Sequence, residues 1–89
     1  MIYNFPATRF ANENSLEQQL VHIISEMDEV SQAYNEESPE RLTEEIFDLL
    51  HSVETAIRMI EKEMGKKDMA KIELSVWKKN LERGYYGEK

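Results

Sequence analysis

The sequence predicts an all-α protein: an antiparallel helical hairpin plus a third helix, oligomerising into a four-helix-bundle core. Three observations predict it. Apolar residues recur at helical spacing through most of the chain. Only three Gly and two Pro occur in 89 residues, against many Glu, Lys, Leu, Met, Ala, Gln and Ile, a composition that favours helix. The break between the two longest periodic stretches is a few residues long, so those helices should lie antiparallel. A chain of this length forms one domain and buries only about 60–65% of its extended surface. Its amphipathic helices would gain from a second copy, and a homodimer or homotetramer is expected.

Residues 1–14 have no sustained periodicity and read as an N-terminal arm. Tyr3, Phe5 and Phe10 could pack it as a lid or onto a partner, and Pro6 prevents one continuous helix. The first helix is expected over residues 15–36. Asn14 or Ser15 can cap it, with Glu17 and Gln18 in the first turn. Its apolar positions are Leu16, Leu20, Ile23, Ile24, Met27, Val30 and Tyr34.

The second helix is expected over 39–64. Ser38 can cap it, and Pro39 suits the first helical position. Its stripe is Leu42, Ile46, Leu49, Leu50, Val53, Ile57, Ile60 and Met64, and Gly65 can take a left-handed cap. Lys62, Lys66 and Lys67 suit the negative end of this helix. A third helix is expected over 68–83, with Met69, Ile72, Val76, Trp77 and Leu81 as a buried face and Gly84 as its stop.

The formal net charge is -7. That balance argues against a nucleic-acid polymer as partner, because phosphates need a basic surface. It suits a protein that collects cations, or simply an acidic, self-repelling surface. The chain has no cysteine, which excludes disulfides and thiolate metal sites. No segment approaches the roughly 20 apolar residues of a membrane span, and Met1–Pro6 lacks signal-peptide features. The expectation is a cytoplasmic protein with no membrane partner.

Two acidic motifs carry the chemistry. Glu26-Met27-Asp28-Glu29 is an E-x-x-E on the first long helix, and Glu45-Ile46-Phe47-Asp48 is an E-x-x-D on the second. Residues three apart on a helix are surface neighbours, so each motif can aim two carboxylates at one point. Both pairs flank the borders of their apolar stripes, and both lie near the hairpin turn, at similar heights. Four carboxylates can therefore converge. They would repel one another unless a cation neutralised them. Carboxylate oxygens without His or Cys select hard cations, mainly Mg²⁺ or Mn²⁺. Ions held in this way keep positions open for substrate phosphates. The competing view is that these are ordinary exposed helix acids, of which a chain with 18 Asp and Glu has many.

These residues resemble the MazG-like, all-α nucleoside triphosphate pyrophosphohydrolases, a superfamily that also includes the dimeric dUTPases. The E-x-x-E reads as Glu26 and Glu29, the E-x-x-D as Glu45 and Asp48, and Glu44-Glu45-Ile46-Phe47-Asp48-Leu49-Leu50 is similar to the family's E-E-x-x-D-Leu-Leu segment. The likeness spans roughly residues 15–85. Lys79-Asn80-Leu81-Glu82-Arg83 resembles its basic pattern near the end of the domain. One departure is Ser25 in place of the first acid of a double Glu, where the second-position ligand is kept as Glu26.

The resemblance implies Mg²⁺-dependent hydrolysis between the α- and β-phosphates of a nucleoside triphosphate, in the manner of nucleotide-pool house-cleaning. Glu26, Glu29, Glu45 and Asp48 would be the metal ligands and catalytic acids, with Glu26 or Glu29 serving the attacking water. Lys79 and Arg83 share a helix face and could neutralise phosphate. Asn80 could read a base or sugar edge, and Tyr85, like Tyr86 and Trp77, could stack on a base. Surface solvation, helix-dipole pairing and core packing explain the same residues without function. His22 could bond Glu26, and His51 should project away from the stripe. The alternative expectation is a non-enzymatic acidic helical module for interaction or regulation.

Overall fold

The computed structural model describes residues 2–36 and 38–87. Four helices and no strands occur among them: α1 (Phe10–Glu13), α2 (Leu16–Asn35), α3 (Pro39–Met64) and α4 (Lys66–Glu82). The starts follow the expected side-chain chemistry. Ser15 accepts from the Gln18 amide while Gln18 Oε1 accepts from the Ser15 amide, closing a capping box. Ser38 accepts from the Arg41 amide, and Pro39 opens α3.

Two local expectations change. Helix α4 starts at Lys66, two residues earlier than expected, because Gly65 alone turns the chain. Gly65 has φ 94° and ψ 154°, a positive-φ extended geometry outside the left-handed helical cap region and open only to glycine at low cost. The arm also contains a helical turn, α1, that its mixed pattern did not announce.

Helices α2 and α3 pack along each other. Gln19 meets Ser52, Glu26 meets Glu45 and Asp48, and Glu29 meets Arg41. Later residues of α2 thus meet earlier residues of α3, the order of an antiparallel pair. The seam is not the long apolar stripe. On α2 it runs through Gln19, Glu26 and Ala33, spaced seven apart, with Gln19 and Ala33 almost fully enclosed. On α3 it runs through Glu45, Asp48, Ser52, Thr55 and Ala56, the last three buried. Small and polar side chains allow close approach but bury little apolar area.

Leu20, Val21, Ile24 and Met27 lie instead on the outside, between 49% and 62% exposed. Of the face expected to be buried on α4, Met69 is buried, while Ile72, Val76, Trp77 and Leu81 are between 39% and 51% exposed. The accessible surface is 6900 Å², where a compact monomer of 10.5 kDa would show about 5,400 Å². The radius of gyration is 15.3 Å, against about 12 Å for a compact chain of this length. Among the described residues, no helix is long and apolar enough to cross a membrane.

The arm folds back on its own chain. Glu54, 2% exposed on α3, accepts from the backbone amides of Asn4 (2.8 Å) and Phe5 (3.0 Å). Arg58 donates to the Phe5 carbonyl and lies over the Tyr3 ring at 4.0 Å. Phe5 stacks on His51 with ring centroids 4.5 Å apart. Thr8 meets Thr55 at 3.3 Å, and Lys62 donates to Asn12.

Candidate metal centre

The acids of the two motifs meet where α2 crosses the first half of α3. Glu26, Glu45 and Asp48 each offer an oxygen, and these oxygens lie within 4.8 Å of one another. The side chains of Glu26 and Glu45 are 17% and 13% exposed, so two of the three are largely withdrawn from water. Burial raises the Glu26 pKa above its ordinary value. The neighbouring carboxylates of Asp48, Glu45 and Glu29 raise it further, and His22, with Nε2 3.6 Å from Glu26 Oε1, works in the opposite direction.

The donor set suits a hard divalent cation. Opposite ligands of Mg²⁺ stand about 4.2 Å apart, twice its bond length. At most one pair of three ligands can be opposite, and adjacent ligands stand about 2.9 Å apart, so oxygens within 4.8 Å of one another must draw in by up to about 2 Å on binding one ion. Oxygen-only ligation with no thiolate or imidazole matches Mg²⁺ or Mn²⁺.

Glu29 does not join this group. It lies one turn nearer the α2–α3 connection, opposite Arg41 rather than Glu45, and its carboxylate stands 4.0 Å from Arg41 Nη2. Arg41 also donates from Nε to Glu45 at 3.2 Å and approaches Glu36 at 3.9 Å. The expected set of four is thus three converging acids plus one diverted to an arginine.

Lys79, Asn80, Arg83 and Tyr85 do not reach the acids within one chain. Among the described residues no ion pair or hydrogen bond joins them to Glu26, Glu45 or Asp48, and α4 touches α3 only sparsely. Lys79 lines a groove on α4 with Lys71, Lys78 and Glu82; Asn80 is half-buried, and Tyr85 is exposed.

Beside Glu26 and Asp48 lies a cavity of about 170 Å³. It is lined by Thr8 and Phe10 of the arm, Gln19 and His22 of α2, and His51, Ser52 and Thr55 of α3. Of these, His22 and His51 stand out in the sequence, and Phe10 does so only as an arm residue. His51 faces the arm and the cavity rather than open solvent. Gln19 was the findable one: a Gln seven residues before Glu26 lies on the same face. It is 1% exposed, donating to the Ser52 carbonyl at 3.0 Å and accepting from Asn14. Glu54 carried no local signal, because its ligands are backbone amides fifty residues away.

Compared with known proteins, the chain matches no family model, no curated protein and no solved structure.

Proposed function

We propose that the protein is a Mg²⁺-dependent nucleoside triphosphate pyrophosphohydrolase of the MazG-like type, using Mg²⁺ or Mn²⁺ and releasing a nucleoside monophosphate and pyrophosphate. The observation that supports it best is the convergence of Glu26, Glu45 and Asp48, from two helices, with oxygens within 4.8 Å. Three carboxylates at that spacing cost free energy unless a cation or protons neutralise them. A bound divalent ion would supply charge neutralisation for the phosphates and a polarised phosphoryl centre. Glu29, outside the group of three, is the acid left to orient or deprotonate the attacking water.

The proposed assembly is a hairpin of α2 and α3 that joins a second copy in a four-helix core, as a homodimer or homotetramer. The exposed face of Leu20, Val21, Ile24 and Met27 supports it. So does the excess of about 1,500 Å² over a compact monomer, since one partner of a standard interface covers about 800 Å². A cavity of about 170 Å³ is also smaller than the roughly 300–1,000 Å³ of ordinary ligand sites. A second copy is also the route by which Lys79, Asn80, Arg83 or Tyr85 would reach substrate.

The test is a panel of standard and modified triphosphates with Mg²⁺, read for pyrophosphate against orthophosphate. Pyrophosphate release is expected from at least one, together with a Mg²⁺-induced rise in melting temperature. Glu45→Gln or Asp48→Asn should remove both. No pyrophosphate from any triphosphate and no metal-induced shift would leave the acidic interaction module, which the large apolar exposure also suits.

A further inference from the structure

We propose that Arg41 is a phosphate-binding residue of this site, held beside the acids by Glu45 and presenting its two outer nitrogens to the polyphosphate chain of a nucleotide. The inference rests on the hydrolase reading above. A polyphosphate adds several negative charges to a site that already holds Glu26, Glu45 and Asp48 with Glu29 alongside. One divalent ion does not balance that total, so a cationic side chain fixed beside the acids would favour polyphosphate binding.

Among the described residues, Arg41 is the Lys or Arg that touches the group. Arg58 is engaged by the Phe5 carbonyl and the Tyr3 ring and Lys62 by Asn12, while Arg9 pairs loosely with Glu13 on the arm and with none of these acids. Lys79 on α4 and Arg83 at its end make no ion pair with these acids among the described residues.

The geometry of Arg41 suits the role. Its backbone is fixed in the first turn of α3, where its amide donates to Ser38 Oγ. Its Nε donates to Glu45 at 3.2 Å, which sets the plane of the guanidinium. Nη1 and Nη2 stand 3.9 Å from Glu36 and 4.0 Å from Glu29, too far for hydrogen bonds. Those contacts are loose ion pairs that a phosphate can displace. The side chain is 46% exposed, so ligand can reach it. A planar fork with one edge anchored and the other edge open matches two phosphate oxygens.

The probes are Mn²⁺ alone, followed by electron paramagnetic resonance, and inorganic triphosphate with Mn²⁺, followed by calorimetry. Arg41→Ala should weaken triphosphate binding roughly tenfold or more, and Arg41→Lys should recover part of it. Mn²⁺ alone should bind the Ala variant as tightly as wild type or more tightly, because a neighbouring positive charge has gone. Triphosphate binding within about twofold of wild type would overturn the proposal. So would a parallel loss of Mn²⁺ affinity, which would make Arg41 a positioning residue for Glu45. Wild-type protein that takes no Mn²⁺ would bring down the hydrolase reading and this proposal together. That result is distinct from a wild type that binds Mn²⁺ and an Ala variant that still binds triphosphate.

Discussion

Replacing Glu54 with Ala should release the N-terminal arm from α3. The Glu54 carboxylate, 2% exposed, accepts from the amides of Asn4 at 2.8 Å and Phe5 at 3.0 Å. Hydrogen bonds to a charged group contribute about 1.5–3 kcal/mol each, so the pair is worth at least about 3 kcal/mol if both are lost with no replacement. The arm can peel away, however, and its amides then regain water, which caps the cost at the free energy of arm docking. We expect about 2–3 kcal/mol, or roughly a hundredfold increase in arm opening. Amide hydrogen exchange by NMR reads this residue by residue. The Asn4 and Phe5 amides should exchange roughly a hundredfold faster in the variant, with the interior of α2 and α3 little changed. Glu54→Gln, which keeps one acceptor oxygen and the side-chain shape, should fall between. Exchange at both amides within about threefold of wild type would refute the account. The release also bears on function. Thr8 and Phe10 of the arm line the cavity beside Glu26 and Asp48, so an undocked arm opens that cavity to water.

Glu26 sets a pH dependence in metal-free protein. Its folded pKa lies above the ordinary 4.5 because of burial and its acidic neighbours, so the folded state holds this proton more tightly than the unfolded one. The associated stability is full below about pH 4.5 and is lost as pH rises through the folded pKa. Melting temperature in EDTA should therefore fall over that window, and Glu26→Gln should flatten the fall; an unchanged slope in the variant would contradict this. The outer face of α2 predicts self-association. Wild type should sediment as a dimer or larger at micromolar concentration, and Leu20→Asp with Ile24→Asp should shift it toward monomer while the helical spectrum is kept. A wild type that sediments as a monomer throughout would remove the case for a second copy.

The helices were legible in the sequence because their ends are local events. Ser15 with Gln18, and Ser38 with Pro39, act over three or four residues, and both start their helices where the residues indicate. The pairing of Glu26 with Glu45 and Asp48 was legible too, since two short-range spacings and one short connection were enough to bring them level. The seam was less so. Periodicity marks Leu16, Leu20, Ile23, Ile24, Met27, Val30 and Tyr34 as the apolar stripe, yet the face turned to α3 is centred on Gln19, Glu26 and Ala33, roughly 90° around the helix, with Ile23 and Val30 half-buried between the two. Rotation of a helix about its own axis is fixed by what its neighbour can accommodate, and a hydrophobic stripe does not say whether its partner is the same chain or another.

The sequence by itself therefore determined the three long helices, the Ser15 and Ser38 caps, the acidic motifs and the absence of thiolate chemistry, because each depends on residue types or on residues within a turn or two of one another. Only the tertiary structure decided that Glu29 turns to Arg41 rather than to the three converging acids. It alone put Glu54 under the amides of Asn4 and Phe5, and left Lys79 and Arg83, among the described residues, without an ion pair to the carboxylates. The physical reason is common to all three. Side-chain partners across helices depend on helix rotation, crossing and direction, and these are set by packing over distances that no local pattern encodes.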